Sequence, residues 1–257
     1  MAIASEGKWV WFDYLSPDVD KAVGFYTSLF GWKTRASQSS SGTYTMLRVD
    51  DDGIGGVVPT PAGAPPRGHW IPYLATGDIR GTVERVGSLG GSVLRAPLDN
   101  GDFGKLAIVA DPLGGYFALW QSGRPSGDGD FKGKPSYFVW NELYTPDPAA
   151  SIAFYAGLTG CSERSMTMND GGTYHILERD GRGRAGVMKP PAPDGASLPM
   201  PQQWTPYVQV ASCDDAIAKA KQLGANVHVV EDAPGVGRFG IFSDPLGGML
   251  GVMQPAR

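Results

Sequence analysis

The chain is an internal duplication, and this feature constrains its fold more than any other. Residues 11–18 (WFDYLSPD) match residues 140–147 (WNELYTPD), which lie 129 positions further along. Residues 111–115 and residues 244–248 both read Asp-Pro-Leu-Gly-Gly. Because these and other matches occur in the same order with almost no gaps, two tandem copies of one domain are expected.

Each copy is itself a weaker duplication of a short module. Asp18 and Asp78 in the first copy, and Asp147 and Ser212 in the second, each precede apolar residues at helical spacing. A side-chain oxygen at such a position accepts hydrogen bonds from the free N–H groups of the first helical turn. The sequence therefore predicts four βαβββ modules whose helices begin near these four residues.

Strand patterns surround the predicted helices. In the first copy they predict strands near 9–15, 43–49, 54–58, 70–76, 92–96, 105–110 and 116–121. The last two strands are joined by the Asp-Pro-Leu-Gly-Gly turn, and the second copy repeats this hairpin at 238–243 and 249–254. The expected fold class is α+β, with four βαβββ modules that form two tandem domains with cup-shaped mixed sheets.

The expected domains are residues 1–124 and 136–257, each made of two modules. Residues 125–135 are the expected linker, because the segment from Ser122 to Pro135 is rich in Gly, Pro and Ser. Two pairings of the modules fit the sequence. Either a cup forms within each half, or the outer two modules pair with each other and the inner two likewise.

Composition narrows the choice of partners. The 257 residues carry a formal net charge of −4, so a large basic surface for nucleic acid or an anionic membrane is not expected. The sequence shows no apolar run of membrane-spanning length and no signal peptide, so a cytoplasmic protein is expected. The 7 Trp, 10 Tyr and 10 Phe suit a concave surface lined with rings, and hence a small-molecule ligand. A monomer or a homodimer is expected.

The helix motif carries a family resemblance. Residues 18–31 read Asp-x-x-x-Ala-x-x-Phe-Tyr-x-x-Leu-x-Gly, and residues 147–160 are nearly the same. Together with the Asp-Pro-x-Gly hairpin, this motif resembles the vicinal oxygen chelate superfamily, more narrowly its tandem, actinobacterial glyoxalase/bleomycin-resistance/dioxygenase-like proteins. The resemblance implies that modules pair into a cup-shaped sheet whose concave face binds a small molecule. It leaves the reaction open, because one fold hosts many functions.

The resemblance also implies where metal ligands would lie. Metal-binding members place a His on a module's first strand, another ligand on the next module's opening strand, and a Glu in the final strand. At these positions the chain has Trp11, Trp70 and Ala118 in the first copy and Trp140, Trp204 and Gly251 in the second. None of these side chains is a ligand for a hard or borderline metal, so no metal and no cofactor is expected.

Carboxylates next to two of these tryptophans are the candidate acid–base residues. Strand alternation places Asp13 on the same face as Trp11, and Glu142 on the same face as Trp140. A carboxylate beside an indole in a partly dry cavity is expected to have a raised pKa, which suits acid–base chemistry. The expected ligand-binding walls are Trp11, Trp70, Trp140 and Trp204.

Each copy also keeps a cation at the start of its penultimate strand, Lys105 in the first copy and Arg238 in the second. A carboxylate and a cation that converge across one cup would add two further candidate catalytic residues. The alternative is an ordinary structural ion pair or a cation that faces solvent. Tyr73 and Tyr207, which strand parity puts on the face opposite Trp70 and Trp204, are expected to pack under the helices.

Three functions fit these observations. The first is a metal-free cup that binds a small aromatic or carbonyl-bearing metabolite. The second is a lyase, isomerase or hydrolase in which Asp13 or Glu142 is the acid or base. The third is a metal-dependent glyoxalase or dioxygenase with ligands elsewhere, and the absence of the expected ligands in both copies argues against it.

Overall fold

A computed structural model describes residues 6–39, 42–63, 66–124, 132–168, 171–190 and 202–256. Of the predicted linker, residues 125–135, the part from 125 to 131 lies outside the described residues.

Every module has the order strand, helix and three further strands, as predicted. Module 1 contains β1 (Trp9–Ser16), α1 (Val19–Phe30), β2 (Lys33–Ser39), β3 (Gly42–Val49) and β4 (Asp52–Pro59). Module 2 contains β5 (His69–Ala75), α2 (Ile79–Ser88), β6 (Ser92–Asp99), β7 (Gly104–Ala110) and β8 (Tyr116–Ser122). Module 3 contains β9 (Phe138–Tyr144), α3 (Pro148–Thr159), β10 (Ser162–Thr167), β11 (Thr173–Arg179) and β12 (Arg182–Met188). Module 4 contains β13 (Gln203–Gln209), α4 (Cys213–Gln222), β14 (Asn226–Ala233), β15 (Gly237–Ser243) and β16 (Met249–Pro255).

The helices begin where the sequence predicts. The side chains of Asp18, Asp78, Asp147 and Ser212 each accept a hydrogen bond from the N–H group three residues later. At the other end, α1 and α3 stop at Gly31 and Gly160, whose φ angles of 72° and 71° lie in the left-handed region. Glycine adopts this conformation without strain and therefore ends both helices.

The strands form two eight-stranded mixed sheets, which confirms the predicted α+β class. Their orders are β2-β3-β4-β1-β5-β8-β7-β6 and β10-β11-β12-β9-β13-β16-β15-β14. Within each module the first strand pairs in parallel with the last. This register sets Asp13 opposite Gly56 in one sheet and Glu142 opposite Gly186 in the other.

Contacts divide the chain into two compact units. The inner unit combines modules 2 and 3 and consists of residues 1–10, 72–130 and 140–204. The outer unit combines modules 1 and 4 and consists of residues 11–71, 131–139 and 205–257. The sheets follow the first of the two pairings that the sequence left open, because modules 1 and 2 share one sheet and modules 3 and 4 share the other.

Each unit has an aromatic core built around one tryptophan. In the outer unit the ring of Trp70 lies 5.0 Å from that of Tyr14 and 5.1 Å from that of Tyr26. In the inner unit the ring of Trp204 lies 5.1 Å from that of Tyr155 and 4.4 Å from that of Trp9. Such edge-on and tilted contacts add to the free energy gained by burying the rings.

None of the described helices is long and apolar enough to cross a membrane.

Candidate functional site

In the outer unit, β1 and β3 bring an indole, a carboxylate and a phenol together. The Nε1–H group of Trp11 donates to Oδ1 of Asp13 and to Oη of Tyr44, at 2.9 Å in both cases. The Tyr44 hydroxyl donates to the same Asp13 oxygen at 2.7 Å. Asp13 is only 6% exposed, whereas Trp11 and Tyr44 are half-buried. These three side chains are called the outer cluster.

The inner unit contains the same three kinds of group on β9 and β11. The Nε1–H group of Trp140 donates to Oη of Tyr174 at 2.8 Å, and the Tyr174 hydroxyl donates to Oε2 of Glu142 at 2.7 Å. Glu142 is 5% exposed. These side chains are called the inner cluster. The two carboxylates singled out from the sequence therefore lie beside their tryptophans, as predicted.

Glycines on β4 and β12 make room for both clusters. A Cβ atom added to Gly56 would lie 2.2 Å from the Tyr44 hydroxyl, and one added to Gly186 would lie 2.0 Å from the Tyr174 hydroxyl. The indoles are just as close to the strands. A Cβ atom added to Gly53 would lie 2.8 Å from the Trp11 ring, and one added to Gly183 would lie 3.0 Å from the Trp140 ring. Since glycine in a strand interior weakens the strand, its repeated use here marks a close approach of side chains.

The phenol of the outer cluster is a hydrogen-bond donor over the ordinary pH range. Burial, and secondly the charge of Asp13, raise the pKa of Tyr44 well above its usual value. In each cluster the phenol hydroxyl lies within hydrogen-bond distance of both the indole N–H donor and the carboxylate acceptor. Such a set can bind both a carbonyl and a hydroxyl group.

The donor set does not fit a resident metal ion. Each cluster supplies one carboxylate, and its other members are an indole, which is no ligand, and a protonated phenol. Among the described residues, no three His, Cys, Asp or Glu side chains come together in a group that could hold a metal. The positions at which the family resemblance implies ligands carry Trp, Ala and Gly, which provide none.

Trp70 and Trp204, two of the expected ligand-binding walls, are buried in the structure. Both are 1% exposed, and their Nε1–H groups donate to the hydroxyls of Tyr26 and Tyr155, which belong to α1 and α3. They therefore face the helices. Tyr73 and Tyr207 lie three residues further along the same strands, so strand alternation places them on the face opposite Trp70 and Trp204, and both are buried.

The two candidate cations have other neighbours. Arg238 pairs with Asp214 at 2.9 Å and with Asp232 at 3.0 Å on the surface of the outer unit. Lys105 lies opposite Asp99 in the β6–β7 register and lines a surface cavity of about 410 Å³ in the inner unit. For Arg238 this is the structural ion pair that the sequence left as the alternative.

The sequence reasoning missed Tyr44 and Tyr174. The signal is present, because Gly42-Thr43-Tyr44 recurs as Gly172-Thr173-Tyr174, 130 positions further along. No local pattern links the two phenols to the carboxylates that they contact, because β3 and β11 are far from those carboxylates in sequence.

Comparisons with known proteins agree with this architecture. The family model described as Glyoxalase/Bleomycin resistance protein/Dioxygenase superfamily matches residues 9–118 and 137–251. CFP32 of Mycobacterium tuberculosis, named as a glyoxylase, is 34% identical over 251 residues, which cover 96% of this chain and 94% of CFP32. DnrV of Streptomyces peucetius, named as an anthracycline biosynthesis protein, is 30% identical over 266 residues, which cover 96% of this chain and 93% of DnrV.

A solved structure shares the fold. The Mn(II)-bound glyoxalase from Novosphingobium aromaticivorans matches with a TM-score of 0.63 and 15% sequence identity, over 99% of this chain and 83% of that one. At this identity the likeness shows the fold alone.

Proposed function

Because the chain belongs to the Glyoxalase/Bleomycin resistance protein/Dioxygenase superfamily, we propose that it binds a small aromatic or carbonyl-bearing compound at the outer and inner clusters, without a resident metal. The observation that carries this proposal is the repeated contact of indole, phenol and carboxylate at 2.7–2.9 Å in both units. Each cluster occupies the strand position at which the family resemblance implies a metal ligand.

The hydrogen-bonding groups favour a ligand with both a carbonyl and a hydroxyl. The carbonyl oxygen of the ligand accepts from the Tyr44 hydroxyl, and a ligand hydroxyl takes the place of Tyr44 as the donor to Asp13. A ligand with only one of these groups breaks the existing bonds without replacing all of them, and a desolvated polar group that loses its bond costs about 1–3 kcal/mol.

The half-buried indoles favour a flat ligand. Stacking on an aromatic ring contributes about 0.5–1.5 kcal/mol beyond the area that is buried. The name of the Streptomyces relative, which places that protein in anthracycline biosynthesis, supports a ring compound as the ligand.

A second function is catalysis at the same clusters. Asp13 or Glu142 would remove a proton next to the ligand's carbonyl, while the neutral phenol donates a hydrogen bond to the oxygen on which negative charge develops. The observation in its favour is the protonated Tyr44 hydroxyl on the Asp13 carboxylate. The glyoxylase name of the mycobacterial relative supports chemistry on a carbonyl compound.

Binding of 1-hydroxyanthraquinone, followed by tryptophan fluorescence and calorimetry, tests the first function. The probe has a flat ring with a carbonyl beside a hydroxyl, and anthraquinone is the matched compound without the hydroxyl. We expect Tyr44→Phe and Tyr174→Phe to weaken binding of the first compound. Tyr137→Phe is the matched control, since its hydroxyl donates to a different carboxylate, Asp52, at 2.7 Å.

Native mass spectrometry of the protein as isolated provides an independent test, because a retained ligand can be identified and then titrated back. Unchanged affinity of that ligand in Asp13→Asn, Glu142→Gln and both phenylalanine variants would place binding elsewhere. Turnover that is lost in Asp13→Asn or Glu142→Gln while binding persists would favour the second function.

A further inference from the structure

A buried aspartate lies in the Asp-Pro-Leu-Gly-Gly turn of each copy. Asp111 is 3% exposed and Asp244 is 5% exposed. In both cases Oδ1 accepts hydrogen bonds from two backbone N–H groups of its own turn. The other oxygen, Oδ2, accepts from side chains that lie outside its own module in the same unit.

In the outer unit two phenols serve Asp244. Tyr14 and Tyr26 of module 1 both donate to its Oδ2 at 2.5 Å. The Nε1–H group of Trp70 donates to Oη of Tyr26 at 3.1 Å and so extends the network. Burial raises the pKa of both tyrosines, which keeps them protonated as donors.

In the inner unit one phenol and one amide serve Asp111. Tyr155 of α3 donates to Oδ2 at 2.7 Å, and Trp204 donates to Oη of Tyr155 at 3.0 Å, as in the outer unit. The second donor is the side-chain amide of Gln202. It lies directly before β13 instead of on the first strand of module 3.

The exchange of the second donor involves two positions at once. At the repeat position of Tyr14 the second copy has Leu143, and at the repeat position of Gln202 the first copy has Gly68. A Cβ atom on Gly68 would lie 1.7 Å from the Tyr14 hydroxyl. Tyr14 therefore requires glycine at 68, and the Gln202 amide is accompanied by a leucine, which carries no hydroxyl.

We propose that Asp111 and Asp244 are the anchors that hold the two modules of each unit together. Each anchor needs a second donor, and two arrangements that supply it are interchangeable. One is Tyr14 with Gly68, and the other is Gln202 with Leu143. Each aspartate turn thus docks against two buried donors. Since Tyr14 directly follows Asp13 in β1, the anchor of the outer unit also positions the carboxylate of the outer cluster. The anchors do not depend on which ligand that cluster binds.

Transplanting the second arrangement into the outer unit tests this proposal. Tyr14→Leu removes one donor and leaves a gap, so we expect the full-length protein to lose roughly 5 °C or more in Tm. Adding Gly68→Gln to Tyr14→Leu should restore at least half of that loss, because the new amide reaches Asp244. Gly68→Gln by itself should be more damaging than Tyr14→Leu, because the Tyr14 hydroxyl occupies the space.

The comparison of Tyr14→Leu with the double variant decides the matter whether or not Gly68→Gln folds alone. A double variant less stable than Tyr14→Leu would overturn the proposal. Gly87→Gln is the control for glutamine in place of glycine, since nothing lies within 4 Å of a Cβ atom there. In the inner unit, Leu143→Tyr should partly rescue Gln202→Gly, with a smaller gain because Gln202 Oε1 also accepts from Thr145 at 2.6 Å.

Discussion

The hydroxyl of Tyr44 donates a hydrogen bond of 2.7 Å to Oδ1 of Asp13, from a strand that lies 31 positions further along the chain. Tyr174 stands in the same relation to Glu142 in the second copy, also at 2.7 Å. A buried carboxylate is stabilised by such donors. The contact therefore recurs in both copies, although the acid changes from Asp to Glu.

Gly56→Ala should separate the phenol from the carboxylate. The new methyl group would lie 2.2 Å from the Tyr44 hydroxyl, so the ring has to move. We expect the crystal structure of the variant to show the Tyr44–Asp13 bond broken. The affinity for 1-hydroxyanthraquinone should fall about tenfold, which corresponds to the loss of roughly one desolvated hydrogen bond.

Gly24→Ala is the control for that variant, because its Cβ atom meets nothing within 4 Å and lies in α1. It should leave affinity unchanged and add about 0.5–1 kcal/mol to the free energy of unfolding, since alanine favours a helix. An intact Tyr44–Asp13 bond in Gly56→Ala would contradict the role given to the glycine.

The tryptophans should separate into core and site residues. Trp70 is 1% exposed and hydrogen-bonded within the core, so Trp70→Ala should lower the free energy of unfolding by about 3–5 kcal/mol, as measured by urea denaturation. Trp11→Ala should cost less stability and instead weaken ligand binding about tenfold. A reversed pattern would restore Trp70 as a binding wall.

Acid should destabilise the fold through His69. Burial, and then the charge of Arg67, lower the pKa of His69 to about 4. In the unfolded chain a histidine has a pKa of about 6.5. Between about pH 4 and pH 6.5 the unfolded chain therefore binds a proton at His69 that the folded chain does not. The free energy of unfolding should therefore fall as the pH drops from about 6.5 to about 4, by at most about 1.4 kcal/mol per pH unit from this residue.

The measurement is urea denaturation across that pH range for the natural protein and for His69→Gln. The variant should show a flatter pH dependence. Identical slopes would mean that other groups account for the acid sensitivity.

The purified protein should hold well under one transition-metal ion per chain. The reason is chemical, since the positions implied by the family resemblance carry Trp11, Trp70 and Ala118 in one copy. Elemental analysis of protein prepared without chelator measures this, and dialysis against EDTA should leave both Tm and ligand affinity unchanged. A stoichiometric metal bound at either cluster would contradict the proposed function.

The strand β2 has no sequence pattern that predicts it. The segment Lys33–Ser39 forms β2, but its side chains from 33 to 38 are exposed and show no alternation of apolar and polar residues. It is an edge strand of its sheet, so only one neighbouring strand constrains it. Hydrogen bonding to β3 then decides its structure, and no burial pattern records that in the sequence.

The sequence by itself determined the modules, because the signals involved are local. Asp18 and Gly31 bound α1 through hydrogen bonds and a φ angle that depend on residues within one turn, and the second copy repeats both signals at Asp147 and Gly160. Strand parity likewise put Asp13 beside Trp11 correctly.

Only the tertiary structure decided which face of a strand meets the helices. Parity separates Trp70 from Tyr73 but does not say which of the two faces inward, because alternation specifies two sides without labelling them. The hydrogen bond from Trp70 to Tyr26 of α1 shows that the Trp70 side of the strand faces the helix. The contact of Tyr44 with Asp13 was also decided by the tertiary structure, because it depends on the order of strands in the sheet and not on neighbours in the chain.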